Sequence, residues 1–210
     1  MTLLIPDTSA LINLHDVYVN RTHITMVLKR LFDVQVSTEI VDEMRRHTDK
    51  FPGYEQVMLR YVGQIKRPFH RQQDYEKLIL DLRPSAHPDK NRGERYNCSL
   101  AAYQVRKQAA MQAIMVIDDG SAHRGLITWF DARFKMMTVW SSLDMLQHIY
   151  LLSYPEWPLA QALAYVRAVN GRCGGHDPGA RLRQANQNLR ELDSMLCRLP
   201  QVRGRVGYGF

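Results

Sequence analysis

The chain has 210 residues, of which 45% are hydrophobic and 23% charged, enough for one compact domain with a sizeable core and an appendage. No apolar run reaches the roughly 18 residues of a membrane span, and Cys98, Cys173 and Cys197 are odd in number and scattered. Those features exclude a membrane-spanning helix and a disulfide framework as readings of the sequence, and the expected setting is the reducing cytoplasm. The net charge of +7 and pI of 9.4 favour a polyanionic partner. From Gly171 onward seven arginines oppose only Asp177, Glu191 and Asp193, an excess of four.

In chain order, strand-length apolar runs occur at 3–5, 33–36, 114–117 and 136–140, separated by longer segments with helical spacing. That alternation predicts an α/β domain built on a parallel sheet. Helices are expected at 23–32, 38–47, 54–65, 72–82, 93–110, 122–130 and 143–152. The stretch 83–93 carries two prolines, polar residues and a glycine, which marks an exposed loop. Two prolines within 153–158 separate a core domain, 1–152, from a helical basic extension, 153–210.

In that extension Leu182, Ala185, Leu189, Leu192, Leu196 and Leu199 recur at alternating spacings of three and four, the seam of a coiled-coil-like helix. Such a seam packs back onto the core or against a partner, a second copy of the chain included. Cys173-Gly-Gly-His176 has the spacing of one metal-ligand pair, but the second pair of a zinc site is missing.

The acidic residues carry the chemistry. Asp7 follows the first expected strand and Asp118-Asp119 the third, so all reach one edge of a parallel sheet, where open α/β sheets bind ligands. Asp-Gly-Ser after that third strand is also ordinary turn chemistry. Glu94 heads the apolar stripe Cys98, Ala101, Val105 and Ala109, and Glu43 stands three residues after Ile40 on the face that Val41 and Met44 bury. Inward carboxylates with no matching inward lysine or arginine repel one another unless a cation neutralises them, and hard oxygen ligands suit Mg²⁺ or Mn²⁺. With a basic surface nearby, the chemistry that follows is metal-assisted phosphodiester hydrolysis.

The order of four motifs resembles the PIN-domain nucleases, which include the ribonuclease toxins of toxin–antitoxin pairs. The motifs are IPDTSALINL at the first strand, VQVSTEIVDEM at the second strand and its helix, GERYNCSLAAY opening a helix, and VIDDGSAHRG after a later strand. The resemblance covers roughly residues 1–145 and implies a three-layer α/β/α fold with a central parallel sheet. It implies Asp7, Glu43, Glu94 and Asp119 as Mg²⁺ or Mn²⁺ ligands, Ser9 as the hydroxyl that steadies Asp7, and Asp118 beside Asp119, either of the two facing the metal. It also implies cleavage of RNA more than DNA, homodimerisation, and a toxin or defence setting with a protein antitoxin as partner. Toxin-type members commonly end near the α/β core, whereas this chain continues for some 60 residues, with Arg172, Arg181, Arg183 and Arg190 as candidate phosphate contacts. A haloacid-dehalogenase phosphatase requires a second aspartate two residues after the first, where this chain has Ser9. The remaining alternative is a catalytically silent PIN-like scaffold that binds RNA or protein through its tail.

Overall fold

A computed structural model describes residues 2–46, 70–82, 92–107, 112–119, 123–174 and 177–199. Strand β1 (Leu3–Pro6) leads into helix α1 (Thr8–Asn13), a hairpin of β2 (Tyr18–Val19) and β3 (Thr22–His23), helix α2 (Ile24–Leu31), strand β4 (Asp33–Val34) and helix α3 (Thr38–Arg46). Helices α4 (His70–Leu82) and α5 (Arg92–Lys107) precede strand β5 (Ala113–Val116). A π-helical turn at His123–Ile127, helix α6 (Thr128–Phe134), strand β6 (Met137–Trp140) and helices α7 (Ser142–Leu152), α8 (Leu159–Arg172) and α9 (Pro178–Arg198) follow. The helix expected at 54–65 lies outside the described residues.

The four expected strands form one sheet in the order β4-β1-β5-β6, parallel throughout, with Leu4 opposite Val34 and Ile114, and Val116 opposite Trp140. Every residue of β1 and β5 is buried, because helices cover both faces of the sheet. Period-two alternation divides those residues between two cores. Leu4, Ile114 and Val116 join α1, α2, α3, α7, α8 and α9 on one side. Leu3, Ile5, Ala113 and Met115 join α4, α5 and α6 on the other. The arrangement is α/β with a parallel four-stranded sheet, as the alternation predicted. No helix among the described residues is long and apolar enough to cross a membrane.

Three local features depart from the sequence expectations. The β2–β3 hairpin turns through Asn20 and Arg21, both at positive φ (45° and 65°), without the glycine that normally signals such a turn. The helix expected at 122–130 is interrupted at Gly125 (φ −98°, ψ −113°), and its regular part runs on to Phe134, where Lys135 adopts the left-handed conformation. The strand expected at 33–36 pairs only over β4; beyond it Gln35 is buried and accepts a hydrogen bond from Gln104 Nε2 at 2.8 Å.

Residues after 152 share the core of the sheet instead of forming a core of their own. Ala162, Val166, Val169, Ala185, Leu189 and Leu196 belong to the same buried cluster as Leu4 and Val116, and Leu182 and Leu192 pack against it. The leucine seam is therefore filled within the chain, except for Leu199, which is 49% exposed. Asn188 bonds Gln147 at 2.9 Å, Tyr150 donates to Asp193 at 2.6 Å, and Tyr154 meets Cys197 at 3.1 Å, so α7 and α9 run in the same direction. Truncating the buried seam should reduce stability by about 2–5 kcal/mol in Leu189→Ala. Leu199→Ala should stay within about 0.5 kcal/mol of wild type. Urea unfolding measures both, and an equal loss in the two variants would mean that the seam continues into a further contact.

Candidate active site

The chain runs from β1 to β4 on one side and then to β5 on the other, so the strand order reverses at β1. In such sheets the crevice outside the carboxyl ends of the strands at the reversal is the natural ligand site. Asp7 leaves β1 there, its N–H donating to the Val116 carbonyl at 2.9 Å. It is the N-cap of α1: its Oδ2 accepts the Ser9 N–H at 3.4 Å and the Ser9 hydroxyl at 3.1 Å. The Ser9 Oγ in turn accepts the Asp118 N–H at 3.2 Å, which ties the exits of β1 and β5 together. An acid thus stands at the end of a core strand because it caps the helix that starts there.

Capping does not compensate for its surroundings. Burial raises the Asp7 carboxyl from its ordinary 3.8 to about 7, and the charges of Glu94 and Glu43 push it in the same direction. Glu43 sits on α3, whose Ile40, Val41 and Met44 are buried, and its Oε2 accepts the Thr8 hydroxyl at 2.9 Å. Glu94 lies in the first turn of α5, its carboxyl raised by burial and by Glu43 and Asp119. Gly93 permits this approach of α5 to α3. A Cβ there would stand 3.1 Å from Ile40 Cδ1 and 3.4 Å from Glu43 Oε2. The sequence marked Gly93 only as the end of a loop, and nothing in it announced this closeness.

Contrary to the sequence expectation, one inward cation does stand near the acids. Arg95 is 2% exposed, and its Nε donates to Glu76 Oε1 at 3.3 Å. It lowers the Glu94 carboxyl somewhat, but the net shift of Glu94 remains upward.

The two adjacent aspartates point to different neighbours. Asp118 accepts hydrogen bonds from the Ser142 N–H at 2.8 Å, the Ser142 hydroxyl at 2.5 Å and Asn13 Nδ2 at 2.7 Å. Asp119 is exposed and close enough to Glu94 for its charge to raise that carboxyl. Electrostatic proximity thus links Asp7, Glu43, Glu94 and Asp119, all hard oxygen donors of the kind that Mg²⁺ and Mn²⁺ take. Among the described residues, no group of three or more His, Cys, Asp or Glu side chains is already arranged to hold an ion. The chemistry of the donors fits a divalent cation, and repulsion between carboxylates opposes their convergence without one.

The four candidate arginines of the extension divide into two pairs. Arg172 bonds both carboxylate oxygens of Asp16 at 2.7 Å and the Asn13 carbonyl at 2.7 Å, while Arg181 bonds Asn170 and the carbonyls of Gly174 and Cys173. Arg183 and Arg190 are exposed and line a shallow cavity of about 430 Å³ on α9 with Asn186, Gln187, Glu191 and Ser194. No family model, curated protein or solved structure matches the chain.

The raised Asp7 carboxyl has a consequence for stability. A group whose pKa is higher folded than unfolded favours the folded state below its unfolded value and loses that contribution as pH rises through the folded one. Without divalent metal the protein should therefore lose stability between about pH 4 and pH 7, on the order of 2–4 kcal/mol from this group. Asp7→Asn should show a shallower slope and be the more stable of the two above pH 7. Urea unfolding across that range tests this, and identical slopes would remove Asp7 from the electrostatic strain.

Proposed function

We propose that this protein is a metal-dependent endonuclease of the PIN type that hydrolyses phosphodiester bonds, with RNA as the substrate. The observation that carries the reading is the convergence of acids from separate elements on one sheet edge. Asp7 follows β1, Glu43 lies on α3 and Glu94 opens α5, and the charges of the two glutamates add to burial in pushing the Asp7 carboxyl up to about 7. A site that strains its own carboxylates gains most from a divalent cation. The four sequence motifs support the same reading, since their acids are the ones brought near one another.

Asp7, Glu43, Glu94 and Asp119 would hold the cation. A bound Mg²⁺ or Mn²⁺ would supply a nucleophile from water at neutral pH and stabilise charge on the phosphate. Ser9 keeps one Asp7 oxygen oriented through its hydroxyl and backbone N–H, and the Thr8 hydroxyl holds one Glu43 oxygen. Arg183 and Arg190, whose side chains stay exposed on α9, are the extension's candidates for gripping flanking phosphates. Arg172 and Arg181, committed to acceptors of the protein itself, brace the extension instead.

The direct test incubates the full chain with labelled single-stranded RNA and DNA in Mg²⁺, Mn²⁺ or EDTA, beside Asp7→Asn. Cleavage of RNA that requires both metal and Asp7 is the expected result. Retained binding with no cleavage of either polymer would favour the silent scaffold. Replacing Arg183 and Arg190 together by alanine should flatten the salt dependence of RNA binding by about 1.4 in log–log slope, since each single-strand phosphate contact contributes about 0.7. An unchanged slope would assign that face another role.

A further inference from the structure

Asp118 stands next to a proposed metal ligand, yet its hydrogen bonds turn it away from the other acids. Its Oδ1 accepts the Ser142 N–H, and its Oδ2 accepts both the Ser142 hydroxyl and Asn13 Nδ2. The Cys173 thiol lies beside the same carboxylate, and burial first, then the Asp118 charge, push it up. Ser142 is the first residue of α7, so Asp118 also meets the positive end of an 11-residue helix. Asn13 and Ser142 are 4% and 0% exposed, which leaves water little access to compete. An Asp118 oxygen that turned to a cation would strand buried donors, an outcome that folded proteins avoid.

Asn13 is fixed in turn by the C-terminal extension. Its amide also donates to Cys173 Sγ at 3.3 Å, and its carbonyl accepts Arg172, which Asp16 holds at both oxygens. On the other side the Asp118 N–H reaches Ser9 Oγ, whose hydroxyl donates to Asp7. One hydrogen-bonded chain therefore runs from the end of α8 through Asn13, Asp118 and Ser9 to Asp7.

We propose that Asp118 is a positioning residue and not a metal ligand, locked by Asn13 and Ser142 and, through Asn13, by Cys173 and Arg172 of the extension, so that Asp7 and Asp119 face one cation. This rests on the endonuclease reading above. It makes the end of α8 a support of the site and explains two adjacent acids as one anchor and one ligand.

The test is Mn²⁺ binding to the full-length protein, with free Mn²⁺ counted by electron paramagnetic resonance, beside kcat and KM on a single-stranded RNA oligonucleotide. Asp119→Asn should lose Mn²⁺ binding. Asn13→Ala and Ser142→Ala should weaken it about tenfold or more, as happens when a residue orienting a ligand is lost, and lower kcat with KM unchanged. Ser142→Thr, which keeps the hydroxyl, should restore wild-type affinity. Cys173→Ala, at a partly exposed position, should act in the same direction as Asn13→Ala and reads the same lock if a core variant fails to fold. Circular dichroism melts check that each variant is folded. Wild-type affinity in folded Ser142→Ala and Cys173→Ala would overturn the proposal, as would loss of binding in Asp118→Asn as complete as in Asp119→Asn. A wild-type protein that binds no Mn²⁺ overturns the metal reading itself, a failure distinct from one in which the wild type binds and the variants do not differ.

Discussion

Like charges brought together where solvent is scarce set the terms for this molecule. The parallel sheet delivers β1 and β5 to one edge, and α3 and α5 bring Glu43 and Glu94 to the same place. Neutral donors nearby help without resolving the conflict. Thr8 and Ser9 each supply a hydroxyl to one carboxylate, and the Asp7 carboxyl is still pushed up to about 7. Hydrogen bonds to a carboxylate favour its charged form, whereas burial and neighbouring charges oppose it, and here the second group wins. The fold must supply enough stability elsewhere to tolerate that strain. It does so with two cores, one on each face of the sheet, and β1 and β5 completely buried between them.

The C-terminal helices contribute to that stability and also reach the site. Helices α8 and α9 pack on α7, and α7 begins at Ser142, the residue that holds Asp118. The end of α8 then returns to the turn after α1 through Arg172 and Asp16, 156 residues apart in sequence. An ion pair with this exposure is ordinarily worth at most about 1 kcal/mol. Here Arg172 also bonds the Asn13 carbonyl, so the contact fixes a direction as well as adding energy. A segment that reads as an appendage by composition is, in packing, a wall of the core.

How much of this was legible depended on whether a feature was local. The strands were plain because a sheet covered on both faces needs continuous apolar runs, and Leu3, Leu4 and Ile5 form one. Asp7, Glu43 and Glu94 could be picked out because each interrupts or borders an apolar pattern. The choice between Asp118 and Asp119 could not be read, since their neighbours in sequence are the same and the partners of Asp118, Asn13 and Ser142, lie 105 and 24 residues away. Arg95 was hidden for a related reason. Helix α5 touches α3, α4, the π-helical turn and the sheet, so it is buried on more than the one stripe that periodicity predicts, and Asn97, Ser99 and Gln104 are buried with it. The hairpin escaped because Asn20-Arg21 lacks glycine.

The distribution of cations completes the argument about the acids. Arg95 is held by Glu76 at 3.3 Å, Arg92 and Arg46 share Glu39 at 3.4 and 3.1 Å, and Arg172 is held by Asp16 at 2.7 Å. Each of these arginines is paired with a carboxylate other than Asp7, Glu43 or Glu94. Asp7, Glu43 and Glu94 take part in no ion pair among the described residues. A protein of net charge +7 has cations to spare, so a local acid excess in it is not a shortage of positive charge. These arginines pair with other carboxylates, while Arg183 and Arg190 on α9 stay exposed.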